Sequence, residues 1–366
     1  MGVVKRDNGW DAFYCITKDG KKLRGHKRGF PTKKAALAWI ELQKSTVIED
    51  KPITLNELWQ EYEKDQSVRL KESTMVSKRY LIQKVLSEFG DTPVTEITPK
   101  TVIKWQTNLI NIGYAPTYLK AIQAQFSALI NYGIRFHGVV ENPILKAGSL
   151  GTTKPSEEMR FWTPEEFSRF IWEVADKPAS YFGFYTLFWT GIRLGELLAL
   201  TPADFDFANR TLRINKSYQR INGRDVITTP KTKKSIRTIP LPKFYCDKMQ
   251  QYISGIYGLN YDDRIFSYTK HFYEHEIRRG VKKSGVKRIR IHDLRHSHAS
   301  LLISRLGASP QLVADRLGHE NIQTTLNVYS HLYDDQPRKL ADSLDELVES
   351  TVGDEDADKN TEKKEE

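Results

Sequence analysis

Apolar positions along this chain change their spacing twice. Between residues 3 and 30 they form strand-like runs, Trp10 to Thr17 and Lys22 to Phe30. Between them lies Lys18-Asp19-Gly20-Lys21, whose Asp-Gly pair suits a tight hairpin turn. After Pro31 the spacing becomes helical, with Thr32 placed as N-cap and Ala35, Ala36, Trp39 and Ile40 on one face. It stays helical from Ile53 to about Ile144, through LNELWQEYEKD, TMVSKRYLIQKVLSEFG, TPKTVIKWQTNLINIG and APTYLKAIQAQFSALINYGIRF, with breaks at Gly90, Pro93, Pro99 and Gly113. Four helices of this length predict an independent bundle.

A stretch rich in Gly, Ser, Thr and Pro follows, AGSLGTTKPSEEM, composed as a flexible connection would be. The third block opens on Thr163, Pro164 and Glu166: a cap, a first-turn proline and a capping-box acid. Beyond it the pattern is mixed. A helix carries Arg193 beside the apolar Ile192, Leu197, Leu198 and Leu200, a β segment runs from Arg210 to Pro240, and helices continue to a stripe of Leu340, Leu344, Leu347 and Val348. The predicted fold class is multidomain, mainly α with small β elements. Its parts are a small sheet plus helix at 1–48, a helical domain at 52–146, a linker at 147–159, a mixed but mostly α domain at 160–348, and a disordered acidic tail at 349–366.

Length and composition narrow the function classes. The 366 residues suffice for two or three domains with cores of their own. The most apolar run, Tyr181 to Ile192, is well short of the roughly 20 residues a membrane-spanning helix needs and is better suited to a buried core helix. Two distant cysteines, Cys15 and Cys246, argue against a disulfide framework and fit a reducing cytosol. The 56 Lys+Arg against 46 Asp+Glu give a formal charge of +10, which favours a polyanionic partner. The charge is uneven: residues 1–40 hold ten Lys/Arg against three Asp, whereas the tail from Gly353 holds seven acids against three lysines. The excess of basic charge at the N-terminal end suggests a separate nucleic-acid-contacting module there.

The chemistry is concentrated in four short stretches. These are TGIRLGELLAL from Thr190, KTKKSIRTIPL from Lys231, HDLRHSHASLLI from His292 and LGHENIQTTLNVYSHL from Leu317. They supply Arg193, Lys231, His292, Arg295, His319 and Tyr329. Guanidinium forks pair bidentately with phosphate oxygens, so arginines, a lysine and histidines suit a site that holds and neutralises a phosphodiester, and a tyrosine then supplies a nucleophile. In this order and spacing, over about 140 residues, the set resembles the tyrosine recombinases, the phage and mobile-element integrase family. That family has an Arg in T-G-x-R-x-x-E, a Lys in a β-hairpin, an H-x-x-R pair, an L-G-H turn and a Tyr about ten residues later.

The resemblance implies roles. Arg193 and Arg295 would bind the nonbridging oxygens of the scissile phosphate. His292 would assist proton handling, and His319 would donate a hydrogen bond to the phosphate. Lys231 would protonate the leaving 5′ oxygen, as the lysine that precedes a short turn and the strand Ile236 to Leu241, with Lys233 and Lys234 competing for that role or contacting phosphate. Tyr329, ten residues after His319, would attack to give a 3′-phosphotyrosyl bond and a free 5′-hydroxyl, without ATP or metal. A phenol with a pKa near 10 needs cationic neighbours and a base to do so at neutral pH. His271 with His275, and His292 with His296 and His298, have metal-like spacings but lack the acidic ligands of a hydrolytic two-metal site, so neither metal nor cofactor is expected.

By the same resemblance residues 1–48 form an arm-type DNA-binding domain, a small sheet carrying Lys18, Lys21, Lys22, Arg24, Lys27 and Arg28 that would lay a strand face into a groove. Residues 52–146 form a core-binding domain that closes a clamp on the duplex, with Lys71, Lys78, Arg79, Lys100, Lys104 and Lys120 as phosphate contacts. The expected partners are double-stranded DNA with core-type and arm-type attachment sites, three further copies in a tetramer on DNA, an excisionase and a host DNA-bending protein. No membrane is expected, and the place of action is the bacterial cytoplasm at the nucleoid. The function so implied is integration or excision of a mobile element through a Holliday junction. The alternatives are a chromosome-dimer recombinase, a type IB topoisomerase-like activity that relaxes supercoils without exchanging sites, and a non-catalytic DNA-binding protein that binds without covalent attachment.

Overall fold

The computed structural model describes residues 2–6, 9–18, 21–48, 52–153, 159–230, 233–333 and 341–348; at 16–18, 21–23, 42–48, 233, 331 and 333 the backbone alone is described. The chain divides between Ser156 and Glu157 into two units. Helix dominates both, with small antiparallel sheets.

The first unit begins with strands β1 (Gly2–Arg6), β2 (Gly9–Lys18) and β3 (Lys21–Phe30) in the order β1-β2-β3. The pairing of Lys18 with Lys21 places the expected hairpin at Asp19-Gly20, which lie outside the described residues. Strand β1, too short and polar for its alternation to be read, is an addition to the predicted pair. Helix α1 (Lys33–Ile48) starts where Thr32 Oγ1 accepts from Ala35 N at 3.1 Å, and it lays Ala36 and Ile40 against Ala12. Four long helices follow as the periodicity predicts: α2 (Leu55–Arg69), α3 (Glu72–Phe89), α4 (Pro99–Asn111) and α5 (Pro116–Phe136). A short α6 (Pro143–Ala147) closes them. Their core includes Leu55, Leu58, Ile82, Val85, Ile122, Phe126 and Leu129, each worth about 1.5–3 kcal/mol on burial.

The Gly/Ser/Thr/Pro segment does not leave this core as free chain. Gln123 Nε2 donates to Gly148 O at 2.8 Å, Leu150 N donates to Gln123 Oε1, and the Leu150 side chain is buried in the helical core. A composition rich in small residues reports low side-chain bulk, and here the backbone polar groups and one leucine do the docking. Residues 154–158 lie outside the described residues.

The second unit holds α7 (Pro164–Trp172), α8 (Pro178–Thr190), a one-turn α9 (Leu194–Leu197), β4 (Phe205–Asp206), β5 (Thr211–Ile214), β6 (Ser217–Ile221), β7 (Arg224–Thr228) and β8 (Arg237–Pro240). The helices α10 (Lys243–Ser254), α11 (Lys270–Ser284), α12 (Asp293–Ser304), α13 (Pro310–Leu317) and α14 (Ile322–Tyr329) complete it, and 341–348 is helical as well. The β segment is two small sheets, β4-β5-β8 and the hairpin β6-β7. The capping box predicted at α7 is present, with Thr163 N donating to Glu166 Oε2 at 2.9 Å and Glu166 N to Thr163 Oγ1 at 3.3 Å. Helix α8 is apolar on all sides because it is enclosed: Phe184, Leu187 and Phe188 are buried, and Phe188 stacks on Phe167 of α7 with ring centroids 3.9 Å apart. Leu344, Leu347 and Val348 of the last helical segment are exposed.

One buried carboxylate ties α11 to the start of α8. Glu276, wholly inaccessible, accepts from Lys177 Nζ at 2.7 Å, Ser180 Oγ at 3.1 Å and Arg279 Nη2 at 2.6 Å, and contacts His275 Nδ1 at 3.1 Å. Burial alone would raise its pKa; the bonds from Arg279, Lys177, His275 and Ser180 outweigh burial and hold it at about 2. Because the folded value lies below the usual 4.3 or so, its stabilisation is complete above that pH and is lost as pH falls through about 2. Glu276→Gln should cost about 3–5 kcal/mol at pH 7. Melting temperatures between pH 7 and pH 3 should fall less steeply in that variant than in the parent chain.

Candidate active site

Helix α8 ends at Gly191, whose φ of +68° a side chain would strain, and that stop puts Arg193 at a cap rather than within a helix. The sequence pattern placed Arg193 inside a helix; the left-handed residue two positions earlier is what splits it into α8 and α9. Arg193 N and Nη1 both donate to Glu196, at 2.9 Å each. Its side chain remains 39 % exposed, open to a ligand.

Glu196 itself is buried and shared. Arg237 of β8 donates to it from Nη2 at 2.9 Å and from Nη1 at 3.3 Å. Burial works to raise the carboxyl pKa, but Arg237 and then Arg193 carry it below its ordinary value, so it is an anion at neutral pH. Arg237 Nε in turn donates to Arg316 O at 2.9 Å, Arg316 Nε to His298 Nε2 at 3.0 Å, and Arg316 Nη1 to Pro240 O at 3.0 Å. His298 Nδ1 closes the chain on Phe188 O at 2.8 Å, so its proton sits on Nδ1 and its ring is neutral, with burial pressing its pKa to about 3. These contacts join β8, α13, α12 and α8 behind the site.

Arg295 lies on α12 with only 3 % of its surface exposed. Nη1 donates to Gly191 O at 2.9 Å and Nη2 to Leu317 O at 2.7 Å. Among the described residues it has no carboxylate partner at salt-bridge distance. Burial and then the nearby charge of Arg193 lower its pKa to about 9, which still leaves it charged at neutral pH. The charge of Glu196 favours the cation only from beyond salt-bridge distance, so the guanidinium is under-compensated, and an anion beside it and Arg193 would complete its pairing.

The remaining predicted residues gather around that cation. His292 caps α12. Desolvation, then the charges of Arg295 and Arg193, lower its pKa. His319 follows Gly318, which ends α13 at a φ of +71°. Its Nδ1 meets Thr325 Oγ1 at 2.8 Å, and burial, then Arg295 and Arg193, bring it to about 4. Both rings are therefore neutral at pH 7. Tyr329, the last residue of α14, is 1 % exposed and packs with Ala299, Ile303, Val313 and Leu317. Burial raises the pKa of its phenol, and the charge of Arg295 opposes that rise. Its hydroxyl lies 2.7 Å from His296 Nδ1.

Lys231 lies outside the described residues, as does the side chain of Lys233. Lys234 is exposed, and a Cβ on Gly318 would come within 3.2 Å of its carbonyl oxygen, which brings the lysine segment against the L-G-H turn. In the first unit Arg24, Lys27 and Arg28 are exposed on β3, while the side chains of Lys18, Lys21 and Lys22 are not among those described. Lys71, Lys100 and Lys104 are exposed. Three others are held internally: Lys78 by Tyr62 Oη at 3.0 Å and Gln125 Oε1 at 2.8 Å, Arg79 by Glu63, and Lys120 by Ser149 Oγ at 2.8 Å. His271 meets Glu274 at 3.2 Å and His275 meets Glu276.

Two groups had no role assigned from the sequence beyond the metal-like spacing of His296. Arg237 and His296 act at long range and carry no local signal beyond standing next to recognised motifs. The second group lines a concavity of about 1260 Å³ that opens beside Arg193 and His292. Its walls carry Arg160, Arg220, Lys270, Arg278, Arg288 and Arg290 against the acids Glu274 and Asp293. Its signal was available in KRIRIHD, where alternation buries Ile289 and Ile291 and turns Arg288 and Arg290 the other way.

Gly191 is the position on which this geometry is most exposed to change. A Cβ there would stand 2.6 Å from His298 Cδ2 and 2.8 Å from Leu317 Cδ2, besides straining the backbone. Gly191→Ala should destabilise the protein by at least about 2 kcal/mol, measured as a lowered midpoint in denaturant with an unchanged slope.

The chain matches the phage integrase family over residues 163–336 and the N-terminal SAM-like domain of phage integrases over 54–110. It is 31 % identical over 287 residues to the ICEBs1 integrase of Bacillus subtilis, spanning 74 % of this chain and 77 % of that one. It is 25 % identical over 343 residues to the integrase of Mycobacterium phage D29, covering 86 % and 88 %. Among solved structures, the Tn1549 transposon integrase in complex with a circular intermediate DNA superposes with a TM-score of 0.68 at 22 % identity, over 80 % of this chain and 99 % of that one. A lambda integrase tetramer bound to a Holliday junction gives 0.58 at 19 %, over 87 % and 95 %. With the arginine pair, the histidines and the buried tyrosine in one site, and a relative of this identity over three quarters of its length, the chain belongs to the phage integrase family of tyrosine recombinases.

Proposed function

We propose that this protein is a site-specific DNA recombinase that integrates or excises a mobile element. The observation that carries the reading is the buried, carboxylate-free Arg295 standing with Arg193 beside a buried tyrosine. Two cations fixed before substrate arrives match a phosphodiester whose negative charge grows as a fifth oxygen bonds to phosphorus. Tyr329 Oη attacks, the 5′ oxygen leaves with a proton from the lysine segment, and the chain keeps a 3′-phosphotyrosyl bond of energy similar to the one broken. The 5′-hydroxyl of a partner strand then reverses the step, and two rounds pass through a Holliday junction. Lys231 remains the choice for the acid, with Lys233 and Lys234 beside it.

The rest of the chain supplies recognition in this reading. Residues 1–48 take arm-type DNA through the exposed Arg24, Lys27 and Arg28 of β3, and 52–146 clamp core-type DNA, where Lys71, Lys100 and Lys104 are exposed while Lys78, Arg79 and Lys120 bond within the unit. The basic concavity beside Arg193 carries the duplex backbone on either side of the scissile phosphate. Assembly as a tetramer draws support from the lambda integrase tetramer on a Holliday junction. An excisionase, a host DNA-bending protein and action at the nucleoid rest on family resemblance; among the described residues no helix is long and apolar enough to cross a membrane.

A nicked duplex spanning the joined ends of the element should trap a covalent adduct with the parent chain and none with Tyr329→Phe, while DNA binding persists. An adduct that survives in Tyr329→Phe contradicts the assignment. Arg193→Ala should slow adduct formation by about 100-fold to 1000-fold. The double variant Arg278→Ala/Arg288→Ala should weaken binding to all duplexes and reduce the slope of log affinity against log salt by about 1–2. An unchanged slope would remove the concavity from the DNA path.

A further inference from the structure

The hydroxyl of Tyr329 makes its hydrogen bond to neither arginine. Its partner is Nδ1 of His296, at 2.7 Å, with the two ring centroids 5.7 Å apart. Among the described residues no other acceptor lies within hydrogen-bond distance of that hydroxyl. A buried O–H needs an acceptor, so the phenol donates and the imidazole nitrogen accepts.

His296 is held where it stands. It follows Arg295 directly, whose guanidinium is fixed on Gly191 O and Leu317 O, and it precedes Ser297, whose Oγ accepts from Trp162 N at 2.9 Å. His298 anchors the same helix to Phe188 O. One turn earlier His292 meets the His296 ring edge-on at 5.4 Å. The charged and titratable groups that bear on it are His292, Asp293, Arg290 and Arg295, with His319 from the turn after α13. Burial first, then His292, brings its pKa to about 4, so at neutral pH the Nδ1 lone pair is available.

We propose that His296 is the base of the reaction: its Nδ1 takes the phenolic proton as Tyr329 Oη bonds to the scissile phosphorus. The inference rests on the reading of Tyr329 as nucleophile. The bond formed is Oη–P and the bond broken is P–O5′. The phenolic proton goes to His296, which becomes an imidazolium, and the leaving O5′ takes a separate proton from the lysine segment. In the return step the imidazolium gives its proton back to Oη as the incoming 5′-hydroxyl displaces the tyrosine. Burial raises the phenol pKa and lowers that of the imidazole, so the proton does not move in the free protein. It moves with Oη–P bond formation, when the bound phosphate beside the ring also stabilises the imidazolium. This assignment separates two histidines of one helix: His296 serves the nucleophile, and His292, a turn away, faces the phosphate.

The test uses the full chain and two nicked duplexes spanning the joined ends of the element, one ordinary and one with sulfur replacing the bridging 5′ oxygen, which leaves without needing an acid. Adduct formation is followed in a single turnover at saturating protein. His296→Asn keeps an oxygen able to accept the tyrosine's hydrogen bond but cannot hold its proton. It should slow adduct formation on both duplexes by about 100-fold or more. His296→Gln should behave likewise, and serves if the first variant folds poorly by thermal melting. A His296→Asn rate within about threefold of the parent would overturn the proposal, because a hydrogen-bonding role alone would then suffice. Recovery of the rate on the sulfur duplex would also overturn it, by placing His296 on the leaving-group side. Adduct in a Tyr329→Phe control would instead contradict the nucleophile reading beneath it.

Discussion

The site depends on a buried cation, Arg295, that has no carboxylate at salt-bridge distance among the described residues. Arg295 sits between the carbonyl that ends α8 and the carbonyl that ends α13, and these two bonds fix the guanidinium without neutralising it. Removing a charge from water costs several kcal/mol, so the second unit must hold this arrangement by other means. It does so with an apolar shell and with glycines at the two helix ends. Gly191 and Gly318 both adopt the left-handed conformation, and each ends its helix early enough to leave a carbonyl or a loop residue facing the site.

Behind that cation the polar network is fully partnered. Glu196 takes one arginine from its own turn and one from β8, and Arg237, Arg316 and His298 pass the connection to α13, α12 and α8. The consequence is a division of labour. Arg237 is neutralised by Glu196 and holds the frame, Arg193 shares that carboxylate while keeping its side chain open, and Arg295 is held by backbone carbonyls alone. Tyr329 is kept from water and bonded to a neutral imidazole, so the proposed nucleophile is oriented before substrate arrives.

Much of this was legible in the sequence, because the motifs are local. Thr163-Pro164-Glu166 announced a capped helix, the run from Tyr181 read as an enclosed one, and Arg193, Arg295 and Tyr329 stood in stretches whose spacing marks them. What stayed hidden depends on residues far apart in sequence. The bond between His296 and Tyr329 spans 33 positions, and that between Arg237 and Glu196 spans 41. Neither leaves a periodic trace. Residue type alone also misjudges lysines: Lys78 reads as a surface cation, yet Tyr62 and Gln125 enclose its amine. Arg193 was placed inside a helix because the apolar spacing continues through Ile192 and Leu197, whereas the backbone at Gly191 breaks it.

In the proposed mechanism this site transfers DNA through one tyrosine held beside an anion-binding arginine pair. The most direct measurement is mass spectrometry of proteolytic peptides from the covalent complex trapped on a nicked duplex that spans the element's joined ends. The proposed mechanism predicts a nucleotide joined through a 3′-phosphate to the peptide containing Tyr329, with fragmentation placing it on that residue. Attachment at Tyr333 or elsewhere, or a cleaved duplex with no nucleotide on any peptide, would contradict it.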